Sequence, residues 1–134
     1  MSAPKPSVIV VAAVIEREGL FLVARRQAGV HLEGYWEFPG GKCRPNETEV
    51  ESLRREIREE LDADISAPEK LLSWAHEYAD RVVELSFYRC ALVGTARPML
   101  GQELRWVSRA ELTRLRFPPA DAALIARLCA QEQT

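Results

Sequence analysis

The chain has 134 residues, 47% hydrophobic and 28% charged, so one domain with an ordinary core is expected (1–134) and a second domain is not. Its formal net charge of −2 gives no overall basic field, which disfavours long DNA or RNA as a partner. Cys43, Cys90 and Cys129 are far apart, odd in number and form no CxxC pair, which argues against a disulfide framework and a zinc site.

Residues 1–6 are expected to form a loose tail. No secretory signal is visible, and the apolar run Val8–Ile15 is too short to span a bilayer, so a cytoplasmic protein with reduced thiols and no membrane partner is expected. That run is continuous and β-branched, which predicts a strand buried on both faces. A turn at Arg17–Gly19 leads into a second strand, Leu20–Arg25, and residues 27–35, with two glycines and little periodicity, read as a loop. Glu37–Pro39 is short and extended before Gly40-Gly41.

Asn46 with Glu49 has capping-box spacing and predicts a helix running to about Leu61. Val50, Leu53, Ile57 and Leu61 form its narrow apolar stripe. Pro68 reads as part of a connector. Leu71–Tyr78 and Arg81–Leu92 read as strands joined at Ala79-Asp80, with Val83, Leu85 and Phe87 on one face. Leu104–Val107 is a short strand, and Ser108 with Glu111 opens a short helix. After Pro118-Pro119, Ala120–Gln131 reads as an amphipathic helix carrying Leu124, Ile125 and Leu128. Strands outnumber helices without alternating with them, which predicts an α+β fold with a mixed β-sheet packed between α-helices.

The chemistry concentrates at the end of the first helix. At about 100° per residue, Glu56 and Glu60 lie almost one above the other with Glu59 beside them. Like charges so placed destabilise an isolated helix by a few tenths of a kcal/mol per pair. Glu56 and Glu60 border the apolar stripe, so they sit at the rim of the core. A hard divalent cation held by oxygen ligands would offset the repulsion. A solvated charge run is the bland alternative.

Residues 41–63 resemble the Nudix box, G-x5-E-x7-R-E-U-x-E-E-x-G-U with U a bulky aliphatic. Gly41, Glu47, Arg55, Glu56, Ile57, Glu59 and Glu60 keep every spacing, whereas Asp62 and Ala63 replace the final glycine and aliphatic. Ala24-Arg25-Arg26, the phrase Trp36–Lys42 (WEFPGGK) and Phe117–Asp121 (FPPAD) resemble the MutT branch of that family, and the likeness runs from about Val8 to Leu128. The resemblance implies the Nudix fold and hydrolysis of nucleoside triphosphates to the monophosphate and pyrophosphate. The substrates it implies are oxidised guanine nucleotides of the 8-oxo-dGTP kind or CTP-like pyrimidines.

A triphosphate repels nucleophiles, and Mg2+, or Mn2+ in its place, neutralises that charge and orients the chain. By resemblance, Glu56, Glu59, Glu60 and the backbone carbonyl of Gly41 are the ligands, while Arg55 pairs with Glu47 to hold the loop to the helix. Arg26 is a candidate phosphate contact and Lys42 a weaker one. The family's usual base glutamate aligns with Leu100, so Glu103, Glu56 or ionisation of water by the metal alone are open alternatives for the base. Glu84, in mid-strand, has no partner that the sequence names. For the nucleobase, Phe38 and Tyr78 are the expected flanks, Val8 and Val10 the floor, and Asp121 the reader of its polar edge. A plain core role for the two aromatics and a helix-dipole role for Asp121 are equally open. His31 is expected at the surface or the pocket mouth, and Trp36 and Trp106 in packing. Two other readings are a Nudix hydrolase of dinucleotide polyphosphates or nucleotide sugars, and a non-catalytic nucleotide-binding module. The protein is expected as monomer or homodimer.

Overall fold

The computed structural model describes residues 4–131. Strand β1 (Ser7–Arg17) runs through the middle of the molecule, and its apolar run divides by parity. Val11, Ala13 and Ile15 enter one core, while Ala12 and Val14 enter a second on the opposite face. All five are at most 6% exposed, as a strand covered on both sides requires, whereas Val8, Ile9 and Val10 of the same predicted run are only partly buried.

The edges of β1 are shared among three partners. Strand β2 (Leu20–Arg25) pairs antiparallel with its end, Glu16 opposite Phe21. Strand β3 (Trp36–Glu37) pairs with β2, and β4 (Gly40–Lys42) returns antiparallel to β1, Val11 opposite Gly41 and Ala12 opposite Gly40. Helix α1 (Glu49–Leu61) follows. Strands β5 (Asp64–Glu77) and β6 (Val82–Val93) form a long antiparallel hairpin, and β6 lies parallel to β1 from Ser7 against Val82 to Ile15 against Cys90. Strand β7 (Glu103–Val107) closes on β2. Helices α2 (Arg109–Leu112) and α3 (Ala122–Gln131) end the fold. One parallel pair among antiparallel ones makes the sheet mixed, and β5 is its outer strand.

Each core is a helix laid on one face of β1. Leu53, Ile57 and Leu61 of α1 are fully buried against the odd residues, where each contributes about 1.5–3 kcal/mol by leaving water. Leu112, Leu124 and Leu128 cover the even residues. The predicted α+β architecture is therefore the one found, with the apolar stripe of α1 as its inner face.

Several boundaries differ from expectation. The N-cap of α1 is Thr48, not Asn46. Thr48 Oγ1 accepts from Glu51 N, and the Glu51 carboxylate accepts from Thr48 N at 2.8 Å. Glu49 is then free to leave the cap: it accepts from the Tyr88 hydroxyl at 2.7 Å and pairs with Lys70. Pro68 lies inside β5, within the register shift between Ser66 and Glu69, with Ala67 at φ +50°. A bulge on an outer strand is where a residue lacking an N–H can be held. The last helix starts after a 3-10 turn at Pro119–Asp121. Of the expected loose tail, residues 1–3 lie outside the described residues. Lys5 pairs with Glu77 at 2.7 Å, and the Pro6 carbonyl accepts from Val82 N.

Candidate active site

Strand β4 brings the glycine pair against α1. A Cβ on Gly40 would run into the Val11 carbonyl and lie 2.7 Å from Ala12 Cα, so the close pairing with β1 demands glycine there. A Cβ on Gly41 would lie 2.5 Å from Glu56 Cδ. The backbone at Gly41 and the carboxyl of Glu56 are thus in direct apposition.

Arg55 organises the opposite flank. Its Nε and Nη2 donate to the two oxygens of Glu47 at 2.7 and 2.9 Å, a bidentate fork, and Nη2 also donates to the Lys42 carbonyl at 3.1 Å. The Arg55 hydrogen bonds, then that of Ser52 Oγ, hold the Glu47 carboxyl down to about 2. Glu47 in turn pushes the Arg55 guanidinium upward. The loop 42–47 is therefore clamped to α1. Arg55 Nη1 reaches Glu56 at 2.9 Å and Glu59 at 3.4 Å, and Arg44 stands 3.7 Å from Glu59.

Glu60 differs from its neighbours. Its carboxylate accepts from Gly40 N at 3.1 Å and belongs to no ion pair among the described residues. Burial first, then the charges of Glu56 and Glu37, push it up to about 8. Burial also raises Glu56 against the opposing pull of Arg55. A half-buried carboxylate facing other carboxylates is a donor set suited to a hard cation. As the side chains stand, no three acidic, thiol or imidazole groups among the described residues converge on one point. A cation would have to draw Glu56 or Glu59 away from Arg55.

A cleft of about 490 Å³ opens beside this rim, lined by Gly40, Gly41, Lys42 and Glu60 and by Val8, Val10, Phe38 and Tyr78. Arg26, His31 and Asp121 line it too, so the expected phosphate and nucleobase residues share one cavity. Phe38 is 5% exposed and stacks on Phe117 at 5.3 Å; it forms wall more than free platform. Tyr78 is exposed, with Arg81 over its ring at 5.8 Å. Asp121 is buried and has no ion pair among the described residues, and burial, aided by Glu37, pushes it up to about 7.

Glu103 stands apart. It pairs with Arg25 at 3.6 Å and Arg105 at 3.2 Å on β7 and does not line the cleft. Leu100 does approach the rim, lining a hollow of about 150 Å³ with Glu37 and Glu60. Glu84 is exposed on β6. Trp36 is buried under Arg105, and Trp106 packs beneath Arg17. Glu37 and Arg81 line the cleft without having been singled out. Glu37 binds Arg26 at 2.8 Å, and its charge reaches both Glu60 and Asp121. Its position inside the Trp36–Lys42 phrase was the available signal for it. Arg81 had none beyond its charge at a strand start.

A mixed sheet between helices, with a half-buried acidic rim beside a cleft of about 490 Å³, defines a small α+β domain with a candidate cation and nucleotide site. Residues 10–127 match the NUDIX domain, and the chain belongs to that family. The CTP pyrophosphohydrolase of Escherichia coli K12 is 38% identical over 117 residues, covering 87% of each chain. The 8-oxo-dGTP diphosphatase of Haemophilus influenzae is 33% identical over 126 residues, covering 92% of this chain and 93% of its own. Among solved structures, the E. coli ORF135 protein superposes with a TM-score of 0.85 at 35% identity, covering 96% of this chain and 92% of that one. The DNA mismatch repair protein MutT of methicillin-resistant Staphylococcus aureus 252, a Nudix hydrolase, gives 0.77 at 35% identity over 96% and 99%. Nudix hydrolases generally use a divalent metal such as Mg2+. No described helix is long and apolar enough to cross a membrane.

Proposed function

We propose that the whole chain is one Nudix domain that hydrolyses nucleoside triphosphates to the monophosphate and pyrophosphate with Mg2+, which Mn2+ can replace. The observation that carries this is one cleft lined both by Glu60, a half-buried acid with no ion pair among the described residues, and by the buried Asp121. The names of the similar proteins support the same reading: CTP pyrophosphohydrolase and 8-oxo-dGTP diphosphatase. The substrates we assign are CTP-like pyrimidine triphosphates and oxidised nucleotides of the 8-oxo-dGTP kind, so the role is sanitation of a nucleotide pool, in the cytoplasm.

Glu56, Glu59, Glu60 and the Gly41 carbonyl would hold the cation, which supplies charge neutralisation and acidifies water. The chain's own residues do the positioning. Arg55, fixed by its fork on Glu47, sets the Glu56 carboxyl against Gly41. Lys42 and Arg26 face the polyphosphate, Arg26 being oriented by Glu37 and the His31 carbonyl. Between the candidate bases, Glu56 is favoured over Glu103, because Glu56 abuts Gly41 at the cleft and Glu103 is engaged by two arginines outside it. Asp121 reads the nucleobase above a floor of Val8 and Val10, with Phe38 and Tyr78 as walls.

The test is a pyrophosphate-release assay over ordinary, oxidised and methylated nucleoside triphosphates with Mg2+. Release from triphosphates, lost in Glu60→Gln, supports the reading. Preference for ADP-ribose or dinucleotide polyphosphates, or unchanged turnover in Glu60→Gln at saturating Mg2+, overturns it.

A further inference from the structure

A second hollow, of about 390 Å³, continues from the nucleobase end of the cleft along β5 and β6. His31, Leu32, Tyr78, Val83, Leu85, Pro118 and Ala120 line both cavities, so the two are continuous. Beyond that shared wall the hollow adds Trp74, His76 and Pro119. Trp74 is 38% exposed and Tyr78 46%, and the His76 ring meets Tyr78 edge-on at 4.5 Å. No lysine, arginine or carboxylate lines it among the described residues.

We propose that this hollow is a subsite for an apolar group, aromatic or alkyl, attached to the distal edge of the nucleobase, so that the enzyme accepts base-extended nucleoside triphosphates. The inference rests on the pyrophosphohydrolase reading above. Three features select this occupant. The hollow has no lysine or arginine among the described residues, and its polar side chains are the His31 and His76 rings and the Tyr78 hydroxyl, so it offers a phosphate no fixed positive charge to offset desolvation. None of Gly40, Gly41, Lys42, Glu60 and Arg26 lines it, so it lies off the base and not off the polyphosphate. A second nucleoside joined through phosphate would leave the cleft at the other end. A planar or branched apolar substituent, in contrast, gains the Trp74 and Tyr78 faces and the proline wall without ordering a charged group.

The hollow opens beside Asp121, the next residue after Ala120, so a substituent on the base edge that Asp121 reads is aimed into it. An exocyclic amine carrying one apolar group keeps one N–H for the Asp121 carboxyl. The extension therefore need not cancel the polar contact that orients the base.

The test compares CTP with N4-benzyl-CTP, and GTP with N2-benzyl-GTP, in the Mg2+-loaded protein and in Trp74→Ala and Trp74→Phe. Trp74 does not line the catalytic cleft. For whichever parent is turned over, the benzyl derivative should match or exceed it in kcat/KM. Trp74→Ala should lower the derivative about tenfold and leave the parent unchanged, and Trp74→Phe should restore most of the loss. A derivative at least tenfold worse than its parent, or a Trp74→Ala loss shared equally by both, overturns the subsite. If no triphosphate releases pyrophosphate, the functional reading fails separately. Calorimetric binding of the same pairs then decides the subsite, by tighter binding of the derivative that Trp74→Ala abolishes or by its absence.

Discussion

Replacing Gly41 by alanine isolates the link between the glycine strand and the acidic rim. The added Cβ would lie 2.5 Å from Glu56 Cδ and 2.6 Å from Oε2. Ordinary carbon contacts are about 3.5 Å, so the Glu56 carboxyl must retreat by roughly 1 Å. The end of a side chain can make that move, although Arg55 Nη1 holds Glu56 Oε1 at 2.9 Å and resists it. Gly41 has no positive φ, so alanine costs the backbone little and even restricts the unfolded chain. The expected result is a folded protein whose melting temperature changes by only a few degrees and whose kcat falls about a hundredfold, since a displacement of that size at a catalytic group costs about that much. Gly40→Ala is the contrasting control. Its Cβ meets the Val11 carbonyl and Ala12 Cα, which are backbone of the central strand and cannot retreat. That variant should lose stability outright. The assays are pyrophosphate release at saturating Mg2+ and thermal unfolding. A Gly41→Ala protein with kcat within about twofold of the parent would refute the reasoning, because a relocated Glu56 would then be immaterial.

Glu60 is raised to about 8 from 4.5, so between those values the folded metal-free protein binds more protons than the unfolded chain, and its stability falls as pH rises. Glu60→Gln should remove that slope, leaving it about 1–3 kcal/mol more stable near pH 8 by chemical denaturation, while abolishing turnover; an unchanged slope refutes the assignment. Asp121, raised to about 7, should change its hydrogen-bonding pattern near neutrality. Protonated, it matches the donor and acceptor of cytosine; ionised, it matches the two donors of guanine's edge. The CTP-to-GTP ratio of kcat/KM should fall several-fold from about pH 6 to about pH 8 and become flat in Asp121→Asn, measured by competition. Arg55→Lys cannot reproduce the fork on Glu47 and should lower kcat roughly tenfold or more with a lower melting temperature. Glu103→Gln should keep kcat within about twofold; a loss near a hundredfold would restore Glu103 as the base.

The sequence by itself determined the elements whose signals are local. The eight-residue apolar run predicted a strand covered on both faces because alternate side chains go to opposite sides, which holds from Val11 to Ile15 but not at Val8–Val10 beside the cleft, and the stripe on α1 predicted its buried face because helical spacing is fixed. Gly41, Glu47, Arg55, Glu56, Glu59 and Glu60 were legible as a group for the same reason: one loop and one helix carry them all. The cap was misplaced by two residues, since Asn46 and Thr48 offer the same chemistry and only the Tyr88 hydroxyl and Lys70, far along the chain, draw Glu49 away. Pro68 read as a connector because pairing across a bulge leaves no periodic trace. Tertiary structure alone decided what depends on distance through space. It brought the Glu37 charge within reach of both Glu60 and Asp121, turned Glu103 toward two arginines, and set Trp74 and Tyr78 around one hollow. Charge and burial act across gaps of a few ångströms, and those gaps arise only once β3, β5 and the Pro118–Asp121 turn have packed round β1.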